Sequence, residues 1–134
     1  MVRFSSFGLV IASLIALRGN SFAETLYHHG SVMELMIQND ESPPIIITYV
    51  VPSSQMAGLV TPGTVLFQGK YATSQSIVGK LRVFSKNCGS VFFSVTGAES
   101  SQGFTFVGSQ PVRNSQCKVV GKKNIVEIFS RYFN

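Results

Sequence analysis

Tryptophan is absent from the 134 residues, cysteine occurs only twice, and charged side chains make up 13% of the chain. Two cysteines are too few for a four-cysteine zinc site, and 45% hydrophobic residues exclude a solvated, disordered chain. Between Glu24 and Gly69 there is no lysine or arginine at all. Past Ala23, apolar residues nowhere recur at helical spacing over a useful length, and no apolar run is long enough to span a bilayer as a helix. The nucleophile-elbow pattern Gly-x-Ser-x-Gly is missing. The stretch from Gly63 to Tyr71 is no phosphate loop: five residues separate its glycines, and Tyr71 stands where a magnesium-binding Ser or Thr belongs. These absences point away from helical, zinc-ribbon and nucleotide-hydrolysing proteins and imply no cofactor.

What is present begins with a leader. Met1 to Arg3 are short and basic, residues 4–17 are nearly all apolar, and Ser21-Phe22-Ala23 is a small-x-small cleavage site. Residues 1–23 are therefore expected to be a signal peptide, leaving 24–134 as a single β domain exported to the periplasm or beyond. A helix over the apolar run reaches only about 21 Å against a hydrocarbon core of roughly 30 Å. That disfavours a membrane span, although Arg18 leaves a retained anchor as the alternative. In an oxidising compartment the pair Cys88 and Cys117 is expected to form a disulfide.

The rest of the chain reads as strands. Met33, Leu35 and Ile37 alternate with polar neighbours, and residues 45–51 are a β-branched run after the turn formers of 39–44. Residues 64–69 and 77–86 form a hairpin in which Ile77, Gly79, Leu81 and Val83 oppose Lys80, Arg82 and Lys86. Further strands are expected over 91–96, 104–107, 117–120 and 125–132, with polar breaks at 97–103 and 108–116 and a basic turn at Gly121-Lys122-Lys123-Asn124. The fold class is all-β, a single small antiparallel β-barrel, with a β-sandwich as the alternative. A barrel is preferred because a chain this short has little with which to cover exposed sheet edges.

Charge is lopsided. Without Arg3 and Arg18 the chain has nine basic and six acidic residues, and all nine basic ones lie from Lys70 onward, against only Glu99 and Glu127. That asymmetry suggests an acidic partner, although outward strand faces also carry charge for solubility. Candidate binding residues are Met56 and Leu59, in the unusually apolar loop 55–60, together with Lys80, Arg82, Lys118, Lys122 and Lys123. The loop is either a contact or a lid over an open end.

Catalytic and metal roles are not expected. His28 and His29 are adjacent, and neighbours in an extended chain point to opposite faces. His29 and Ser31 can share a face, but the acidic residues, Glu127 among them, fall in turns or on outward parities. Nucleic-acid stacking by Tyr71, Phe84, Phe92 and Tyr132 is set aside, because export argues against it and aromatics fill cores.

The pattern Tyr27-x-x-Gly30-Ser31, Pro52, Gly58, Gly63-Thr64-x-Leu66-Phe67-x-Gly69, Gly79, Phe84, Cys88 and Cys117 resembles a group of small exported bacterial proteins of uncharacterised function. The layout of leader plus disulfide-bonded barrel is also similar to periplasmic C-type lysozyme inhibitors. Their Ser-Gly-rich inhibitory strand motif is missing, so the likeness implies architecture and not inhibitory residues. The expected function is a non-catalytic envelope protein binding an anionic or protein partner. The alternatives are an inhibitor of a cell-wall hydrolase and a small hydrolase using His28 or His29.

Overall fold

A computed structural model describes residues 21–133, so Met1–Asn20, most of the expected leader, lie outside the described residues. Eight strands follow one another: β1 (Ser21–His28), β2 (Ser31–Gln38), β3 (Ile45–Val51), β4 (Val65–Tyr71), β5 (Ser76–Ser85), β6 (Gly89–Ser100), β7 (Gly103–Arg113) and β8 (Val119–Ser130). Each pairs antiparallel with the next, and β8 returns to β1, closing a barrel. Among the described residues no helix is long and apolar enough to cross a membrane.

Alternation decides what lies inside. Leu26, Met33, Leu35, Ile45, Ile47, Phe67, Ile77, Leu81, Phe93, Val95, Phe104, Phe106 and Phe129 are buried on the inward parity of their strands. Phe67 and Phe106 are tilted against each other at 4.3 Å, and Phe129 meets Phe106 edge-on at 5.6 Å. Such rings need floor space in a narrow barrel. It comes from inward-facing glycines: a Cβ at Gly79 would sit 2.7 Å from Cζ of Phe67, and one at Gly97 would sit 2.5 Å from Cδ1 of Phe106.

The barrel expected from the sequence is therefore correct, and β2 and β3 fall on the runs that predicted them. Three expectations need correction. The stretch 24–28, given no element, is the inner part of β1, because His29 (φ 47°) and Gly30 (φ 79°) form a two-residue turn that folds it back onto β2. Gly121-Lys122-Lys123-Asn124 is no turn but the middle of β8, with Gly121 opposite Val112, Lys122 opposite Pro111, Lys123 opposite Gln110 and Asn124 opposite Ser109. The reversal occurs earlier, where the Asn114 side chain accepts from the N–H groups of Gln116 and Lys118. The polar breaks also shrink, that at 97–103 to Ser101 and Gln102 and that at 108–116 to the turn after Arg113, with β6 continuing through Ser100 and β7 through Arg113.

Two hairpins outrun the closed part of the sheet. β6 and β7 pair only from Val95 and Gly108 toward Ser100 and Gly103, while β8 touches β1 in register at a single pair, Tyr27 and Ser130. Beyond those points β7 and β8 pair only with each other and form a projecting arm. The far end of β5–β6 projects beside it. Cys88 and Cys117 are bonded, with Cα atoms 5.3 Å apart, so the disulfide joins the two tips. The Arg113 guanidinium also donates to the carbonyls of Cys88 (2.9 Å) and Gly89 (3.0 Å).

At the other end of β1, Ser21–Ala23 pair with Met36–Gln38 but are solvent-exposed. Cleavage after Ala23 would leave the pairs from Glu24 and Leu35 onward in place.

Candidate functional site

The barrel mouth between the arms and loop 52–64 is where polar side chains gather. A cavity of about 200 Å³ there is lined by His28, Tyr49, Met56, Leu59, Arg82 and Glu127 over an apolar floor. Glu127 faces inward because β8 must turn Phe129 into the core, where it stacks on His28 at 4.1 Å. Residues two apart share a face, so Glu127 follows Phe129, and Val126 and Ile128 are pushed outward at 62% and 60% exposure. The sequence reading had Glu127 on an outward, solvated parity. Core filling by one phenylalanine reverses it.

The two histidines do not diverge either. His28 is inward and only 9% exposed, while the left-handed turn at His29 swings the second ring back, leaving the ring centroids 4.2 Å apart. Both rings converge on one oxygen: Oε2 of Glu127 lies 2.8 Å from His29 Nε2 and 3.5 Å from His28 Nε2. The other His28 nitrogen, Nδ1, is 2.9 Å from the Ile128 carbonyl and donates to it. Burial holds the His28 pKa below the ordinary imidazole value, with the Ile128 hydrogen bond opposing it and His29 adding to it. The Tyr49 hydroxyl, at the same mouth, is pushed up to about 12 by burial and then by the Glu127 carboxylate.

Hydrolysis finds no support in Ser31, the serine that the sequence places on the same face as His29. Ser31 is buried at 1% exposure, and its hydroxyl accepts a 2.8 Å hydrogen bond from the Ser53 N–H, fastening loop 52–64 to the β1–β2 turn. That role is structural.

The expected binding residues separate into four places. Met56 and Leu59 pack against the core with Val60 buried beneath them, in a loop tightened by the bonds from Ala57 N–H to Ser53 (2.9 Å) and Val60 N–H to Met56 (3.1 Å). This loop covers the mouth. Leu59→Ser should accordingly lower stability by about 1–2 kcal/mol, read as a shifted urea midpoint. An unchanged midpoint would show that the lid adds nothing to the fold.

Arg82 is drawn into the structure. Its guanidinium lies 5.2 Å from the rings of both Phe84 and Phe92, while Nε donates to Ser90 (2.8 Å) and Nη1 to the Val65 carbonyl (3.3 Å). It ties β4, β5 and β6 together and is not a free surface charge. Lys80 stands exposed on β5, three strands away from β8.

Lys118, Lys122 and Lys123 remain together on the projecting arm, all exposed. As neighbours in a strand, Lys122 and Lys123 face opposite sides. Lys123 lines the cleft of about 350 Å³ between the two arms with Gln110 and Arg113. Lys122 shares the outer face with Val126 and Ile128, and Val107 opposite Val126 is itself 45% exposed.

Family models, curated proteins and solved structures were all compared with this chain, and none matches. Function is thus read from residues. Those the sequence did not bring forward are Glu127, Tyr49 and the outward valines. Local pattern offers no handle on Glu127, which meets His29 across 98 positions of chain. The histidine turn did have a signal: a Gly one residue after His29, between two alternating runs.

Proposed function

We propose that this is a non-catalytic, exported binding protein that takes an anionic partner of the cell envelope on the β7–β8 arm. One observation carries the reading. Lys118, Lys122 and Lys123 lie on a hairpin whose outer part pairs only with itself and is braced at its tip by a disulfide and Arg113, and the hairpin exposes Val107, Val126 and Ile128 on the face that carries Lys122. Contiguous apolar surface beside charge is characteristic of a contact face more than of a solvated one. A stiff arm loses little conformational freedom on binding. Export is supported by the leader and by the disulfide, which persists in oxidising compartments.

The test is capture on an anionic polymer, with purified peptidoglycan as probe. Attraction between exposed charges is screened over about 8 Å at physiological ionic strength, so capture should fall as salt rises. Changing Lys122 and Lys123 together to Gln should lower it several-fold while leaving the melting temperature unchanged, since both side chains are exposed. Capture indifferent to salt and to the lysine changes rejects the reading.

A second reading, inhibition of a cell-wall hydrolase, is favoured by the same braced projection, a shape suited to entering a partner's cleft. Stoichiometric loss of lysozyme activity on adding the protein would select it over polymer binding.

A further inference from the structure

We propose that His28, His29 and Glu127 form a binding site for a single zinc-type divalent cation at the barrel mouth. Two imidazole nitrogens and one carboxylate oxygen are the donor set of zinc sites that keep one position open. The spacing fits. Bonds of about 2.0–2.1 Å in tetrahedral array hold donor atoms about 3.3 Å apart, and the two histidine separations, 3.5 Å and 2.8 Å to the same Glu127 oxygen, bracket that value. One donor atom from each of the three residues lies within 4.8 Å of the others. His29 is mostly exposed, so its ring is free to retreat the few tenths of an ångström needed.

Support beyond the donors is also built in. The hydrogen bond from His28 Nδ1–H to the Ile128 carbonyl leaves the lone pair on Nε2, directed at Glu127, which is the usual outer-shell arrangement for a ligating histidine. Phe129 stacks flat on the His28 ring, with 13° between the planes, and fixes its orientation. The left-handed conformation of His29 puts the second ring on the same side as the first. The fourth position opens to solvent or to the cavity beside Tyr49, for a water or a partner's oxygen.

Such an ion would also have a structural consequence. It would join the β1–β2 turn to β8 beside the place where those strands share one paired position. Binding to the folded chain alone raises its stability with the logarithm of the free ion concentration relative to the dissociation constant, so the ion should strengthen the barrel at that seam.

The experiment uses the mature protein prepared without a polyhistidine tag, stripped with chelator and titrated with Zn²⁺ by calorimetry. One ion per chain in the micromolar range or tighter is expected, with a rise of several degrees in melting temperature at about a hundredfold excess over the dissociation constant. Co²⁺ in its place should give the intense visible bands of tetrahedral coordination. Glu127→Gln and His29→Ala alter partly or largely exposed side chains, and each should weaken binding at least about tenfold with the fold retained by circular dichroism. The absence of saturable binding overturns the proposal, as does binding that both variants leave untouched.

Discussion

Replacing Phe106 with alanine should cost the barrel about 3–5 kcal/mol. Phe106 has no exposed surface, contacts Phe67 and Phe129 ring to ring, and covers the space that Gly97 leaves open. Truncation removes these contacts, and two stiff rings and the strand backbone cannot collapse far into the void. A denaturation midpoint lowered in urea at unchanged slope would record the loss.

The reciprocal change should reveal the fit between the two positions. Gly97→Ala forces a methyl into the ring and should cost about 1–3 kcal/mol. Combined with Phe106→Leu, whose smaller side chain vacates the ring's space, the penalty of Gly97→Ala should shrink. Strict additivity would mean that the glycine serves some end other than seating the ring.

Changing Cys88 and Cys117 to serine is the second large effect. The bond closes a loop of 29 residues, for which chain entropy gives about 3–4 kcal/mol at room temperature. More than stability is involved, because the bond joins the tips of two hairpins that backbone pairing no longer connects. Without it the arm tip is held to its neighbour chiefly by the Arg113 hydrogen bonds among the described residues, so limited proteolysis within 109–124 should accelerate well before global unfolding. Thiol labelling of the denatured, unreduced wild-type protein should find no free thiol. Equal melting and proteolysis in the serine variant would remove the disulfide from any account of the arm.

Strand runs were legible where apolar and polar residues alternate, as in β2, or where β-branched residues cluster, as in β3, and the two cysteines were legible as a pair. Legibility failed where one residue's demands overrode local composition. Gly121 to Asn124 has the composition of a turn, yet the ladder from Ser109 to Val112 opposite holds it extended. In β8 the charged and apolar residues suggest one orientation, and Phe129 imposes the other. The cluster of His28, His29 and Glu127 arises from that reversal together with a left-handed turn, and neither is written in the spacing of titratable residues. Of the surface lysines, position in the chain grouped all five basic candidates, whereas the barrel keeps three together, sets Lys80 apart and builds Arg82 into a clamp between strands.

The single paired position between β1 and β8 has a further consequence. Seven of the eight strand junctions are hydrogen-bonded ladders between chain neighbours, and the eighth is held chiefly by side chains. Arg131, just past the end of β8, reaches Glu24 of β1 at 2.8 Å, and His28 of β1 donates to the Ile128 carbonyl of β8 at 2.9 Å. Molecules of this kind open first where few backbone bonds must break. The barrel is in effect a rolled sheet fastened by a few latches, and amide hydrogen exchange should be fastest along that line, where the flank and not only the lidded end would let solvent in.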